Sequence, residues 1–319
     1  MKTSLGAFVL CLVLGAVLYP VVIGALARAH AGQRVQAYAP STHRVKASTP
    51  TMGGILFCAL AVLAWLFFDG SRSGFVLAFA LIAGAGLGVL DDLANIRGRG
   101  VLGLLGRQKL VLQGLVGILV GVGLLRVGAT HQVLPVLGNV DLHGGIVVLA
   151  AVAVMAASNA VNLTDGVDGL AGWCSVLVFS ALWALALHIG AHSAAVMSAA
   201  VVGGVAAFLL YNWHPARVFM GDTGSLALGC TLAAVAAEVH MLWLLPLLGL
   251  VFVAETLSVI VNVTAITRFH RRVFRASPLH HHFEELGLRE QGLVLWFGAV
   301  AALAALLAVL AGIRSGMSA

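Results

Sequence analysis

Five of the seven aspartates fall in three short polar motifs: Asp91-Asp92, Asp165 with Asp168, and Asp222. Adjacent carboxylates such as Asp91 and Asp92 repel each other when both are ionised, so the pair either raises one pKa or draws a cation. In NAVNLTDGVDGL at 159–170, Asp165 and Asp168 are three residues apart and can share a face in a helical turn. Gly166 and Gly169 let backbone approach a ligand, and Asn159 and Asn162 add amide donors and acceptors. In NWHPARVFMGDTGSLALG at 212–229, Asp222 stands between Gly221 and Thr223-Gly224, with Asn212 and Phe219 upstream. Carboxylate oxygens beside phosphate groups are what magnesium takes, although Asp222 equally suits the capping of a following helix. His280, His281 and His282 are consecutive, so a regular helix cannot aim all three at one metal. With Arg271, Arg272 and Arg275 they read as loop donors for an anionic group. Lys46 and Lys109 serve either membrane topology or phosphates.

The elements that must position these residues are membrane helices. The 319-residue chain is 61% hydrophobic and 9% charged, against about 25% charged in soluble domains. Ten apolar spans are expected, at roughly 4–26, 51–68, 74–90, 110–126, 144–161, 169–188, 194–211, 224–240, 243–266 and 292–312. No alternation of the kind a membrane barrel needs runs through the chain. The first span resembles a secretory signal, but its apolar part from Leu5 to Leu26 exceeds a signal core of about 7–15 residues, so a retained helix is expected. The chain reads as one domain over 1–319, all-α and polytopic. Cys11, Cys58, Cys174 and Cys230 all lie in apolar spans without metal spacing and read as packing residues.

A carboxylate at a bilayer centre costs roughly 2.5 to 3.5 kcal/mol on insertion scales, so five of them must meet water or cations. Their order along the chain meets that need. Asp91-Asp92 follow the third span, Asp165 and Asp168 the fifth, Asn212 and Asp222 the seventh, and the histidines the ninth, so all face one side. Loops on that side carry 14 of the 18 Lys and Arg residues, which marks it as cytoplasmic and puts both termini outside. The net charge of +6 is thus mostly a topology signal. No long basic tract or aromatic-basic platform points to nucleic acid. At such a hydrated helix end, stability is expected to depend little on Asp91 or Asp92.

The strings HRVKASTPTMGG, the Asp pair, NAVNLTDGVDGLAG, VFMGDTGSLALG, ETLSVI and PLHHHFEELG closely resemble the phospho-N-acetylmuramoyl-pentapeptide transferases, over nearly the whole chain. The Asp pair and the NLTDG block belong to the wider superfamily of polyprenyl-phosphate N-acetylhexosamine-1-phosphate transferases. TPTMGG and HHHFE are more specific to the muramoyl-pentapeptide branch. Ala94-Asn95 depart from the family, where a lysine often follows the pair, and Asn262 stands where glutamine is common. The resemblance implies ten transmembrane helices, a cytoplasmic cleft in the bacterial inner membrane, magnesium dependence and frequent homodimers. It implies transfer of phospho-N-acetylmuramoyl-pentapeptide from its uridine nucleotide to undecaprenyl phosphate, giving lipid I and UMP.

On that reading Asp222 holds magnesium, Asp92 and His281 lie near the diphosphate, and Asp91 readies the lipid phosphate. Thr51, Asn162, Asp165, Asp168, Asn212, Phe219, His280 and His282 then contact the substrate, with Lys46 and Lys109 on phosphates. An aspartate acting as covalent nucleophile is the alternative mechanism. Transfer of another sugar, such as N-acetylglucosamine-1-phosphate, is the alternative reaction. A cation-coupled transporter is the rival class, but transporter sites lie near the midplane, where only Glu255 sits here.

Overall fold

The computed structural model describes residues 1–29, 49–96, 104–134 and 138–314. Lys46 lies outside these residues. The described residues are all-α apart from one antiparallel hairpin, β1 (His131–Leu134) with β2 (Gly138–Asp141), paired so that Gln132 faces Val140. The helices are α1 (Lys2–Arg28), α2 (Gly54–Phe68), α3 (Arg72–Ile96), α4 (Gly106–Val127), α5 (Gly145–Thr164), α6 (Leu170–Ile189), α7 (His192–Asn212), α8 (Gly221–Glu238), α9 (Leu245–Leu248), α10 (Leu250–Phe269), α11 (Leu279–Glu285) and α12 (Glu290–Arg314).

Nine of the ten expected spans each fall on one helix, and the ninth is divided. Among the described residues, eight helices are long and apolar enough to cross a membrane; α2, with 15 residues, and α8 are not among them. Helix α2 is apolar but short. Helix α8 is rich in Gly, Ala, Ser and Thr and starts and ends in carboxylates, so its hydropathy is modest. It is instead buried along nearly its whole length, packed by α3 and α5. Small side chains at these contacts let backbones approach, which is how membrane helices gain packing energy without a solvent-driven term. The ninth span is broken: a short turn at Leu242–Leu244 and α9 precede α10, with Pro246 and Gly249 at the interruption.

The hairpin was not expected from the sequence. It is held by Gln132, whose amide donates to the carbonyl of Ala237 at 2.9 Å and accepts the N–H of Leu242 at 3.0 Å. This ties the α4–α5 connection to the far end of α8. The opposite end of α8 is where the polar motifs gather.

Candidate active site

The last turn of α3 meets the first turn of α8, and two glycines make the meeting possible. A Cβ on Gly88 would run into the backbone of Asp222 and Thr223, and Gly221 adopts φ +72°, a left-handed conformation glycine takes at no cost. The backbones therefore come close enough for Asp92 to cap α8. Its Oδ1 accepts the N–H of Asp222 at 3.1 Å, and its Oδ2 accepts the N–H and hydroxyl of Thr223 at 2.9 and 2.7 Å. A cap from another helix does the work usually done by the preceding residue. Asp92 thus holds the backbone that carries Asp222, and the two members of the pair are not equivalent. Stability depends on Asp92 more than a hydrated helix end would require. We expect Asp92→Ala to lower stability by about 1–3 kcal/mol, because buried donors lose their acceptor. Asp92→Asn, which keeps one oxygen, costs less. Thermal unfolding in detergent checks this, and equal midpoints for wild type and Asp92→Ala would disprove it.

Asp91 points the other way. Its Oδ1 accepts the N–H of Leu104 at 2.7 Å, and its Oδ2 lies 3.1 Å from Lys109 Nζ, one turn into α4. The same ammonium contacts Asp222 Oδ2 at 2.5 Å and Asn162 Oδ1 at 3.5 Å. Asn162, in the last turn of α5, donates to Asp222 Oδ1 at 2.8 Å and to Ser225 at 2.9 Å. Four helices thus contribute to one node, with Lys109 between two carboxylates. Asp222 is its open member: its side chain is 22% exposed, against 7% for Asp91. Asp165 follows α5 at the same end. Burial, and then the charges of Asp222, Asp92 and Asp168, hold its carboxyl well above the usual range, so it carries a proton more readily than an ordinary aspartate.

The second group lies beside the first. Asp168 Oδ2 accepts the N–H of Ala216 and lies 3.1 Å from His214 Nδ1, which is also 3.2 Å from Glu290 Oε2. Among the described residues, this is the group of three whose ligand atoms are close enough together to hold a metal ion. Its nitrogen donor suits softer ions than magnesium, which prefers all-oxygen sets such as Asp91, Asp222 and Asn162 offer. Asn212 is buried as a staple, accepting the N–H of Gly169 at 2.9 Å and donating to the carbonyl of Val218 at 2.8 Å. Thr51 is buried against Gly221, and Phe219 is half-buried with its backbone paired to Pro50 and Gly53.

The histidines separate by environment. His280 is fully buried, His281 Nδ1 pairs with Glu284 at 2.6 Å, and His282 Nδ1 accepts the N–H of Arg275 at 3.3 Å. Sequence reasoning missed Thr223, Ser225, His214 and Glu290. Thr223 and Ser225 stood in the GDTGS string, whereas nothing in the sequence links Glu290 to Asp168.

Comparison with known proteins identifies the family. A family model described as Glycosyl transferase family 4 matches residues 72–240, and one described as phospho-N-acetylmuramoyl-pentapeptide-transferase signature 1 matches 46–58. The chain is 43% identical over 311 residues to the phospho-N-acetylmuramoyl-pentapeptide-transferase of Moorella thermoacetica, covering 96% of this chain and 98% of the relative. It is 39% identical over 308 residues to that of Anoxybacillus flavithermus, covering 94% and 95%, and 41% identical over 301 residues to that of Geobacillus kaustophilus, covering 92% and 93%. Similarity of this extent, running through every element of the node, shows that the chain belongs to the phospho-N-acetylmuramoyl-pentapeptide-transferase family.

Proposed function

We propose that this protein transfers phospho-N-acetylmuramoyl-pentapeptide from its uridine nucleotide to undecaprenyl phosphate, releasing UMP and forming lipid I. The observation that carries the reading is an apolar cavity of about 700 Å³ on the helices that also carry the Lys109 node. The cavity runs between α5, α8 and α10, and its wall includes Leu110 and Asn159, next to Lys109 and one turn from Asn162. A phosphate joined to a long isoprenoid chain suits that pairing of cation and cavity, with its head at Lys109 and its tail among apolar side chains.

The reaction joins two anions. An oxygen of the lipid phosphate forms a bond to the β-phosphorus of the nucleotide, and the bond from that phosphorus to the bridging oxygen breaks, the electron pair leaving with UMP. Positioning and positive charge do most of what such a transfer needs. Lys109 supplies a fixed charge, and Asp91 and Asn162 hold it in place. A phosphate oxygen is largely ionised at neutral pH, so Asp91 contributes more by orienting Lys109 than by removing a proton. Asp222, Asp91 and Asn162 would hold magnesium through oxygen donors. When bound, the ion neutralises the diphosphate and stabilises the leaving phosphate. Asp165 and Asp168 serve the nucleotide side, and Lys46 the phosphates.

The test is an assay of purified protein with a panel of nucleotide sugars. We expect a preference of roughly 100-fold or more for the muramoyl-pentapeptide nucleotide over UDP-N-acetylglucosamine, since a polar site pays heavily for groups left unpaired. Comparable rates would point to the alternative reaction. The same reading places the node on the cytoplasmic face of the bacterial inner membrane, with the protein as a homodimer. A reporter after Ala319 should then read as extracytoplasmic, and tags near Gly98 and Arg272 as cytoplasmic. A cytoplasmic C-terminus would overturn that orientation.

A further inference from the structure

Glu255 and His280 are fully buried ionisable residues that the transfer itself does not use. Glu255 lies within α10, where an unpartnered carboxylate is costly. Its Oε2 accepts the backbone N–H of His280 at 3.3 Å and lies 3.2 Å from His280 Nδ1, within ion-pairing distance though outside hydrogen-bonding geometry. The far edge of the His280 ring, with Nε2, rests on Gly166, where any Cβ would overlap it. Gly166 lies between Asp165 and Asp168. Two turns along the same helix, Asn262 Oδ1 accepts the N–H groups of Val273 and Phe274 at 3.1 and 3.2 Å, and its Nδ2 donates to Ser277 at 3.2 Å. Helix α10 thus grips α11 at one point and the segment leading into it at another.

A residue with no exposed surface touches no substrate, so His280 acts through what it packs against. We propose that Glu255 and His280 form one positioning pair, which sets where the 165–169 loop presents Asp165 and Asp168 to the nucleotide. Glu255 fixes the ring, and the ring fixes Gly166. The inference rests on the transferase reading of the site, and it assigns the pair to the nucleotide side alone. Either residue without the other leaves the loop unsupported, so the two act as a unit.

The test compares wild-type protein with Glu255→Ala, His280→Ala, their double variant, Glu255→Gln and Gly166→Ala. Each alanine variant is expected to lose on the order of 100-fold in nucleotide kcat/KM, the cost of a displacement of about 1 Å. The double variant loses no more than about threefold beyond the worse single one, as expected of residues that act together. KM for polyprenyl phosphate stays within about twofold, because the change is confined to the nucleotide side. Glu255→Gln keeps an oxygen for the N–H of His280 and recovers roughly tenfold over Glu255→Ala. Hydrogen exchange over 165–169 rises alike in both single variants, and this reading needs no substrate. Multiplied losses in the double variant, unchanged exchange over the loop, or an equal rise in KM for the lipid would each overturn the proposal. Wild-type protein that forms no lipid product would instead refute the transferase reading. Should the alanine variants fail to fold, Glu255→Gln carries the comparison with a smaller perturbation, while Gly166→Ala, whose Cβ pushes the ring from the other side, should reproduce the loss in nucleotide kcat/KM.

Discussion

Asp222→Asn is expected to lower turnover by roughly a thousandfold, the equivalent of about 4 kcal/mol of transition-state stabilisation. Asp222 is the carboxylate of the node most open to a ligand, and both its oxygens already take part, one with Lys109 and one with Asn162. An amide there removes the negative charge that a hard cation requires, and it can turn an N–H towards the ammonium of Lys109. The helix should survive, because its cap comes from Asp92 and not from the Asp222 side chain. Activity measured across a magnesium titration checks the result, with thermal unfolding as the control for folding. A variant with full turnover at low magnesium would remove Asp222 from the metal role.

Membrane helices made the larger part of this fold legible in the sequence. Their spans announce themselves by length and hydropathy, and the alternation of loops sorted Asp91, Asp92, Asn162, Asp165 and Asp222 onto one side. Those residues and Lys109 gather at the same end of the bundle. What stayed hidden was direction. Asp91 and Asp92 are neighbours on α3, so their side chains diverge by about 100°. Only the packing of Gly88 against α8 decides that Asp92 faces the backbone and Asp91 the cation. Asn212 sits in a functional-looking string, yet its amide is consumed in holding loops together, and His280 is fully buried. The break at Gly249 and the hairpin were also out of reach. The first hides inside an apolar run, and the second has strands of four residues, too short to show a period.

Lys109 carries the sharpest consequence of this geometry, because its removal should move two measured quantities in opposite senses. Its ammonium lies between Asp91 and Asp222, so it competes with any divalent ion for the same oxygens while also offering charge to a transferring phosphate. Lys109→Met leaves two carboxylates facing one another without a cation. Two like charges in a partly buried site attract a replacement ion strongly, so half-saturation should occur at a magnesium concentration several-fold lower than in the wild type. A bound ion cannot, however, reproduce the ammonium that Asn162 and Asp91 hold in register for the phosphate. Turnover should therefore fall by on the order of 100- to 1000-fold, the usual loss for one preorganised charge contact. Lys109→Arg should fall between the two, since guanidinium keeps the charge but not the compact shape that fits between the carboxylates. Steady-state rates across a magnesium titration of the three proteins check both effects at once. If turnover and magnesium affinity fell together, Lys109 would be supporting the metal ligands and not competing with the ion, and the division of labour within the node would have to be redrawn.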